Sequence, residues 1–142
     1  MGLYFEDVEV GYEMTELSKG PIQKVQHVMY AGASGDFNPL HTDDEFARAV
    51  GMEGVICHGM LIMGFVGQAV TSWVPKKDLR RFGVRFAGMT TPGSTITVTG
   101  KVVDKRKDGD ENRISCEVEA RDEKGDVKIT GRFEAVLPSK NQ

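Results

Sequence analysis

The sequence predicts an α+β fold in which an antiparallel sheet curls around one buried helix. Three observations carry that expectation. Residues 79–137 alternate apolar and polar side chains with period two, the signature of strands covered on one face. Residues 59–73 are apolar nearly all round, which marks a helix enclosed on most sides. The breaks between the alternating runs hold turn residues, so the strands follow one another through short connections. At 142 residues, 39% hydrophobic and 27% charged, the chain has the size and composition of one globular domain spanning residues 1–142.

Taken in order, a strand near Met14 to Ile22 completes the sheet. A helix from about Lys24 to Ser34 lies outside it and ends at Ser34-Gly35. Pro39 lacks an N–H and pushes Asn38 into an extended conformation, so this helix cannot run on through His41. A second outer helix covers Asp43 to Val50, with Thr42 as its N-cap and Glu45 three residues on, a capping box. The central helix runs from Gly59 to Trp73, about 22 Å at 1.5 Å per residue. Gly64 and Gly67 weaken it in isolation but permit close approach of a strand or a ligand.

Four strands follow. Phe82, Val84 and Phe86 share one face, as do Ile96, Val98 and Val102 on the next strand, then Ile114, Cys116, Val118 and Ala120. Val127, Ile129, Phe133, Ala135 and Leu137 complete the set. Thr91-Pro92-Gly93, Lys107-Asp108-Gly109-Asp110 and Glu123-Lys124-Gly125-Asp126 separate the runs. Short connections predict a meander, apolar on one face, with the central helix as its cover.

Composition excludes several classes of function. A formal net charge of −3 argues against a dedicated nucleic-acid binder, which carries a basic face. The opening MGLYFEDVEVGYEM has neither a basic n-region nor an apolar h-region, and lacks the Ser/Thr of a myristoylation pattern. The longest apolar run, Gly59 to Val70, contains Gln68 and is too short to span a bilayer, so no membrane insertion is expected. Cys57 and Cys116 lie far apart in apolar contexts and read as reduced buried thiols of a cytoplasmic protein. No CxxC spacing supports zinc.

The chemistry concentrates in residues 30–63. Asp36 and His41 flank the Asn38-Pro39 turn, at the two ends of a tight loop that can aim both side chains at one small volume. Asn38 can tie the loop down through an Asx-type bond. A neutral imidazole accepts a proton near physiological pH, and an ionised Asp orients it or holds a water. Such a pair can add water to a substrate or run the reverse elimination. From spacing alone, a helix-end carboxylate and a hydrogen-bonded loop histidine are the favoured account of the two residues, since a lone Asp and a lone His in a loop are common.

Gly59 opens the central helix, where backbone N–H groups have no partners and carry partial positive charge. With no side chain there, a substrate carbonyl could come close, which is the requirement for an oxyanion hole. Tight packing at a helix start is the alternative. His58 could be a cap, a core histidine or a pocket wall. A metal held by Asp36, His41 and His58 has no HxxxH or CxxC spacing behind it.

The strings GDFNPLH at 35–41, DDEFARAVG at 43–51 and HGML at 58–61 resemble the MaoC-like, hydratase-2 hotdog family. That family includes the (R)-specific enoyl-CoA hydratases and the 3-hydroxyacyl-ACP dehydratases of bacterial fatty acid synthesis. The likeness continues through VRFAGMTTPGSTI at 84–96. YAGASGD, HGMLIMG and VTSWV look most like the catalytic dehydratase subunit of a mycobacterial-type fatty acid synthase II.

The resemblance implies a hotdog fold and reversible hydration of trans-2-enoyl thioesters to (3R)-hydroxyacyl thioesters, without metal or redox cofactor. It casts Asp36 and His41 as the dyad that holds the water, Gly59 as the N–H that binds the thioester carbonyl, and Asn38 as the loop stabiliser. The substrate would be an acyl-CoA or acyl-ACP. The partner would be a second hotdog subunit, identical or related, with an acyl tunnel beside the central helix.

Some short-chain hydratases carry a serine further along that helix, where this chain has Gly64 and Gly67, and small residues there favour a longer acyl chain. The basic stretch Lys76, Lys77, Arg80, Arg81 and Arg85 could meet the phosphates of CoA or an acidic carrier protein. Asn38, His58 and Arg85 are therefore the candidate substrate-binding residues. Two rivals remain: a non-catalytic acyl-binding hotdog subunit, and a hotdog thioesterase. The second lacks the helix carboxylate it would need, since no Asp or Glu lies between Gly59 and Trp73.

Overall fold

A computed structural model describes residues 2–141, so both end residues of the expected 1–142 domain lie outside the described residues. A short strand β1 (Leu17–Lys19) leads to helix α1 (Lys24–Ser34), a single-turn 3-10 segment (Pro39–His41) and helix α2 (Asp44–Ala49). The long helix α3 (Gly59–Trp73) and strands β2 (Leu79–Phe86), β3 (Ile96–Asp108), β4 (Glu111–Arg121) and β5 (Val127–Val136) follow. The five strands form one antiparallel sheet in the order β1-β3-β4-β5-β2.

The alternating faces emerge as expected. Ile96, Val98, Val102, Ile114, Cys116, Ala120, Ile129, Phe133 and Ala135 are buried and pack with Leu61, Ile62, Phe65, Val66, Ala69 and Val70 of α3. The helix is enclosed on most sides, with one open stripe at Met60, Gly64, Gln68 and Ser72. Its far end is pinned by Trp73, whose indole N–H donates to the carbonyl of Thr15 at 2.8 Å. Gly100 makes room for that ring, because a Cβ there would lie 2.6 Å from Trp73.

The simple meander is not observed. β2 pairs with β5 rather than with β3, its neighbour in sequence. The cause is the connection 87–95, which crosses the sheet instead of turning. Thr90 accepts from the N–H of Cys57 at 2.7 Å, Ser94 accepts from that of Ile22 at 2.9 Å, and Gly93 donates to Ile22 at 2.7 Å. These bonds carry the chain past the N-terminal end of α3 to β3, on the far side of the sheet beside the edge strand β1. β3 also runs beyond Val102, because a register shift between Val102 and Asp104 lets the ladder continue to a tight turn at Gly109-Asp110.

The α2 cap differs from expectation too. Asp43, not Thr42, is the N-cap, and its carboxylate accepts from the N–H groups of Glu45 at 2.9 Å and Phe46 at 3.1 Å. The 3-10 turn carries the chain on to Asp43, whose N–H, like that of Thr42, goes to the Pro39 carbonyl, and it is the Asp43 carboxylate that meets the free N–H groups opening α2. No helix among the described residues is long and apolar enough to cross a membrane.

Candidate active site

α1 ends at Gly35, whose φ of +75° is the left-handed conformation that stops a helix and turns the chain. The loop that follows is fixed by two Asx-type bonds. Asp36 Oδ1 accepts from the N–H of Asn38 at 3.2 Å, and Asn38 Oδ1 accepts from that of Leu40 at 3.0 Å. Asn38 therefore acts on the loop as expected. Pro39 starts the 3-10 turn that brings His41 back beneath Asp36, and His41 Nε2 stands 3.6 Å from Asp36 Oδ2.

The hydrogen bonds determine the proton inventory. His41 Nδ1 lies 2.8 Å from the carbonyl oxygen of Ile56. A carbonyl only accepts, so Nδ1 carries the hydrogen and Nε2 presents its lone pair to Asp36. A lone pair and a carboxylate cannot bond to each other. At this separation they suit a shared donor, a water molecule. Asp36 is half exposed and His41 mostly buried, a wet acid beside a shielded base.

His58 is 1% exposed and caps α3. Its ring stacks on His41, with centroids 3.8 Å apart, and its Nε2 lies 3.1 Å from the carbonyl of Asp36. Its Nδ1 is buried with no hydrogen-bond partner among the described residues. It is thus a wall behind the dyad. Asp36, His41 and His58 also bring one possible metal-ligand atom apiece within 4.8 Å of one another. His41 Nδ1 and His58 Nε2 donate to carbonyls, which leaves His41 Nε2 and His58 Nδ1 as the ring atoms with a lone pair to offer.

His41 and Gly59 line one cavity of about 460 Å³, closed by Ile62, Phe86, Met89 and Thr90 among others. Gly59 is the first residue of α3, so its N–H has no intrahelical acceptor. A Cβ on Gly59 would lie 3.2 Å from two carbons of the Phe86 ring. A larger concavity of about 890 Å³ spans the outer sheet face and contains none of these residues. Chemistry, rather than volume, selects the smaller one.

Arg85 is not brought to the dyad. It alternates with Phe86, so it faces the outer concavity with Arg132 and Lys101 while Phe86 faces Gly59. The basic stretch is partly neutralised as well. Arg80 pairs with Glu111 at 2.8 Å, and Lys77 Nζ lies 3.8 Å from Asp78. Both cysteines are free and buried, and burial pushes each thiol up to about 12.

Sequence reading missed His27. It is completely buried in α1, with Nδ1 3.3 Å from the carbonyl of His41 and Nε2 3.0 Å from Cys57 Sγ. Its burial holds the imidazole below its ordinary pKa, only partly offset by the bond to His41. A lone histidine in a helix gives no signal in sequence; its partners come from residues 14 and 30 positions away.

The sequence pattern of the MaoC-like domain matches residues 8–124. The chain belongs to the MaoC-like dehydratase family. Across 145 aligned residues it is 30% identical to the (R)-specific enoyl-CoA hydratase of Rhodospirillum rubrum, covering 96% of this chain and 93% of that one. It is 36% identical over 109 residues to the mouse peroxisomal multifunctional enzyme type 2, covering 75% of this chain but only 14% of that much longer protein.

Among solved structures, the (R)-hydratase from A. caviae involved in PHA biosynthesis superposes with a TM-score of 0.81 at 27% identity. That match covers 94% of this chain and 99% of the other. The fold is accordingly the hotdog expected for a MaoC-like protein, an α+β sheet wrapped on a central helix.

Proposed function

We propose that the protein is a hydro-lyase that reversibly hydrates trans-2-enoyl thioesters to (3R)-hydroxyacyl thioesters. The observation that carries this reading is the lone pair of His41 Nε2 facing the Asp36 carboxylate across 3.6 Å, with His41 itself lining the cavity that Gly59 also lines. A water donating to both groups is held and activated. His41 takes its proton as the oxygen bonds to C3 of the enoyl group, and the C2–C3 π electrons move towards the thioester carbonyl. The enolate oxygen is stabilised by the N–H of Gly59 and the positive end of α3. His41 then returns the proton to C2 on the same face, so one water adds syn and the base is restored. The cycle uses no metal and no redox cofactor.

Similarity to named (R)-specific hydratases supports the substrate class. The thioester is one carried by CoA or by an acyl carrier protein; either presents the same acyl group to the dyad. A second hotdog subunit, identical or related, fits the edge of β2, eight residues long and unpaired on its outer side among the described residues. The half-exposed Phe86 and Met89 beside that edge are apolar surface for it to cover. A Cβ at Gly64 would meet nothing within 4 Å, which leaves room along α3 for a longer acyl chain.

The test is hydration of crotonyl-CoA and longer trans-2-enoyl-CoAs, followed by loss of enoyl absorbance. Asp36→Asn and His41→Ala should each lower kcat by about 10²–10⁴ with thermal unfolding unchanged. Near wild-type activity in either variant would remove the dyad. Release of free CoA thiol from an acyl-CoA would revive the thioesterase reading. Activity only on adding a related subunit would identify a heterodimer.

A further inference from the structure

Building on the hydratase reading, we propose that two buried histidines outside the dyad, His27 and His58, are positioning residues that set its spacing. Each donates to the backbone carbonyl of one dyad residue: His58 Nε2 to Asp36 at 3.1 Å and His27 Nδ1 to His41 at 3.3 Å.

The backbone bonding of the loop isolates this role. The carbonyls of Asn38, Pro39 and Leu40 accept from main-chain N–H groups of His41, of Thr42 and Asp43, and of Ile56 respectively. The carbonyls of Asp36 and His41 accept instead from side chains, and both side chains are imidazoles. The two residues whose separation matters for the water are thus the two whose carbonyls are gripped by side chains from outside the loop. The grips come from different elements, His27 from α1 and His58 from the start of α3. With 0% and 1% exposure, neither ring meets competing water.

The tautomers are mutually consistent. His27 must carry its hydrogen on Nδ1, so Nε2 accepts, and the thiol of Cys57, held protonated by burial, is there to donate at 3.0 Å. The N–H of Cys57 in turn is fixed to Thr90. His58 must carry its hydrogen on Nε2, which leaves Nδ1 as the orphaned acceptor. Its stacking on His41 then sets the plane of the base as well as the height of the acid.

Paired amide substitutions separate positioning from packing. The amide nitrogen of Asn occupies the place of a histidine Nδ1, and that of Gln the place of Nε2. His27→Asn and His58→Gln should keep kcat within about threefold of wild type, because each preserves its grip. His27→Gln and His58→Asn should lose roughly tenfold to a hundredfold in kcat with KM little changed, since a shift of about 1 Å at a reacting group costs up to 10². If both members of each pair behave alike at equal melting temperature, the proposal is overturned.

A measurement on the unaltered protein guards against variants that do not fold. Long-range ¹⁵N–¹H spectra should show the Nδ1–H tautomer for His27 and the Nε2–H tautomer for His58, and the opposite tautomer at either position overturns the assignment. Absence of hydration by the wild type on every enoyl thioester would instead remove the hydratase reading, while leaving the tautomer result to stand by itself.

Discussion

Gly59→Ala separates an oxyanion role from a packing role more cleanly than any other single change. Alanine keeps the backbone N–H, so the donor survives and only a methyl group is added. That methyl would sit 3.2 Å from Cδ1 and Cε1 of Phe86, a few tenths of an ångström tighter than ordinary contact. Phe86 is 51% exposed at the end of an edge strand, so its ring can yield. In a helix interior alanine is favoured over glycine by roughly 1 kcal/mol, less in the first turn, and the two effects nearly cancel. The melting temperature should therefore move by no more than a few degrees.

Activity should not be spared. The methyl fills the space a thioester oxygen needs to reach the N–H, and losing one oxyanion donor lowers kcat by about 10²–10³. Circular dichroism melts and enoyl-CoA hydration rates on the same preparations make the comparison. A variant with unchanged melting and kcat within a few-fold of wild type would refute the oxyanion role of Gly59. A large fall in melting temperature would show that Phe86 cannot yield.

Two further perturbations follow from the charges. The folded-state pKa of His27 lies below its ordinary 6.5, chiefly through burial, with His41, His58 and Lys24 opposing its protonation. Its contribution to stability is thus full above about pH 6.5 and is lost as pH falls below that value. Melting curves between pH 7.5 and 5 should show wild type losing more than His27→Asn; parallel slopes would contradict this. Lys76 and Arg81 belong to the basic stretch and make no ion pair among the described residues. Reversing both should raise KM for the CoA substrate with kcat unchanged if they meet the carrier, and an unchanged KM would assign them to a solvated face.

Sequence by itself determined the elements and their faces. Period-two alternation identified the strands from Phe82 to Leu137, and the all-apolar run identified α3 from Gly59 to Trp73, because burial on one side or on most sides leaves a periodic trace. Pro39 and Asn38 announced the loop, since a missing N–H and an Asx bond are local properties. The family's strings were also legible, and with them Asp36, His41 and Gly59 as candidates.

Tertiary structure decided what depends on distant partners. The crossing of 87–95, which sends β2 to β5, rests on bonds to Cys57 and Ile22 that no local pattern encodes. Arg85 was drawn away from the dyad by strand alternation once the sheet acquired an inside and an outside. The tautomer of His41 is set by the carbonyl of Ile56, and the grips on the loop come from His27 and His58. Two polar side chains five positions apart become an acid/base pair only when something fixes their separation, and those fixing groups converge only in the folded chain.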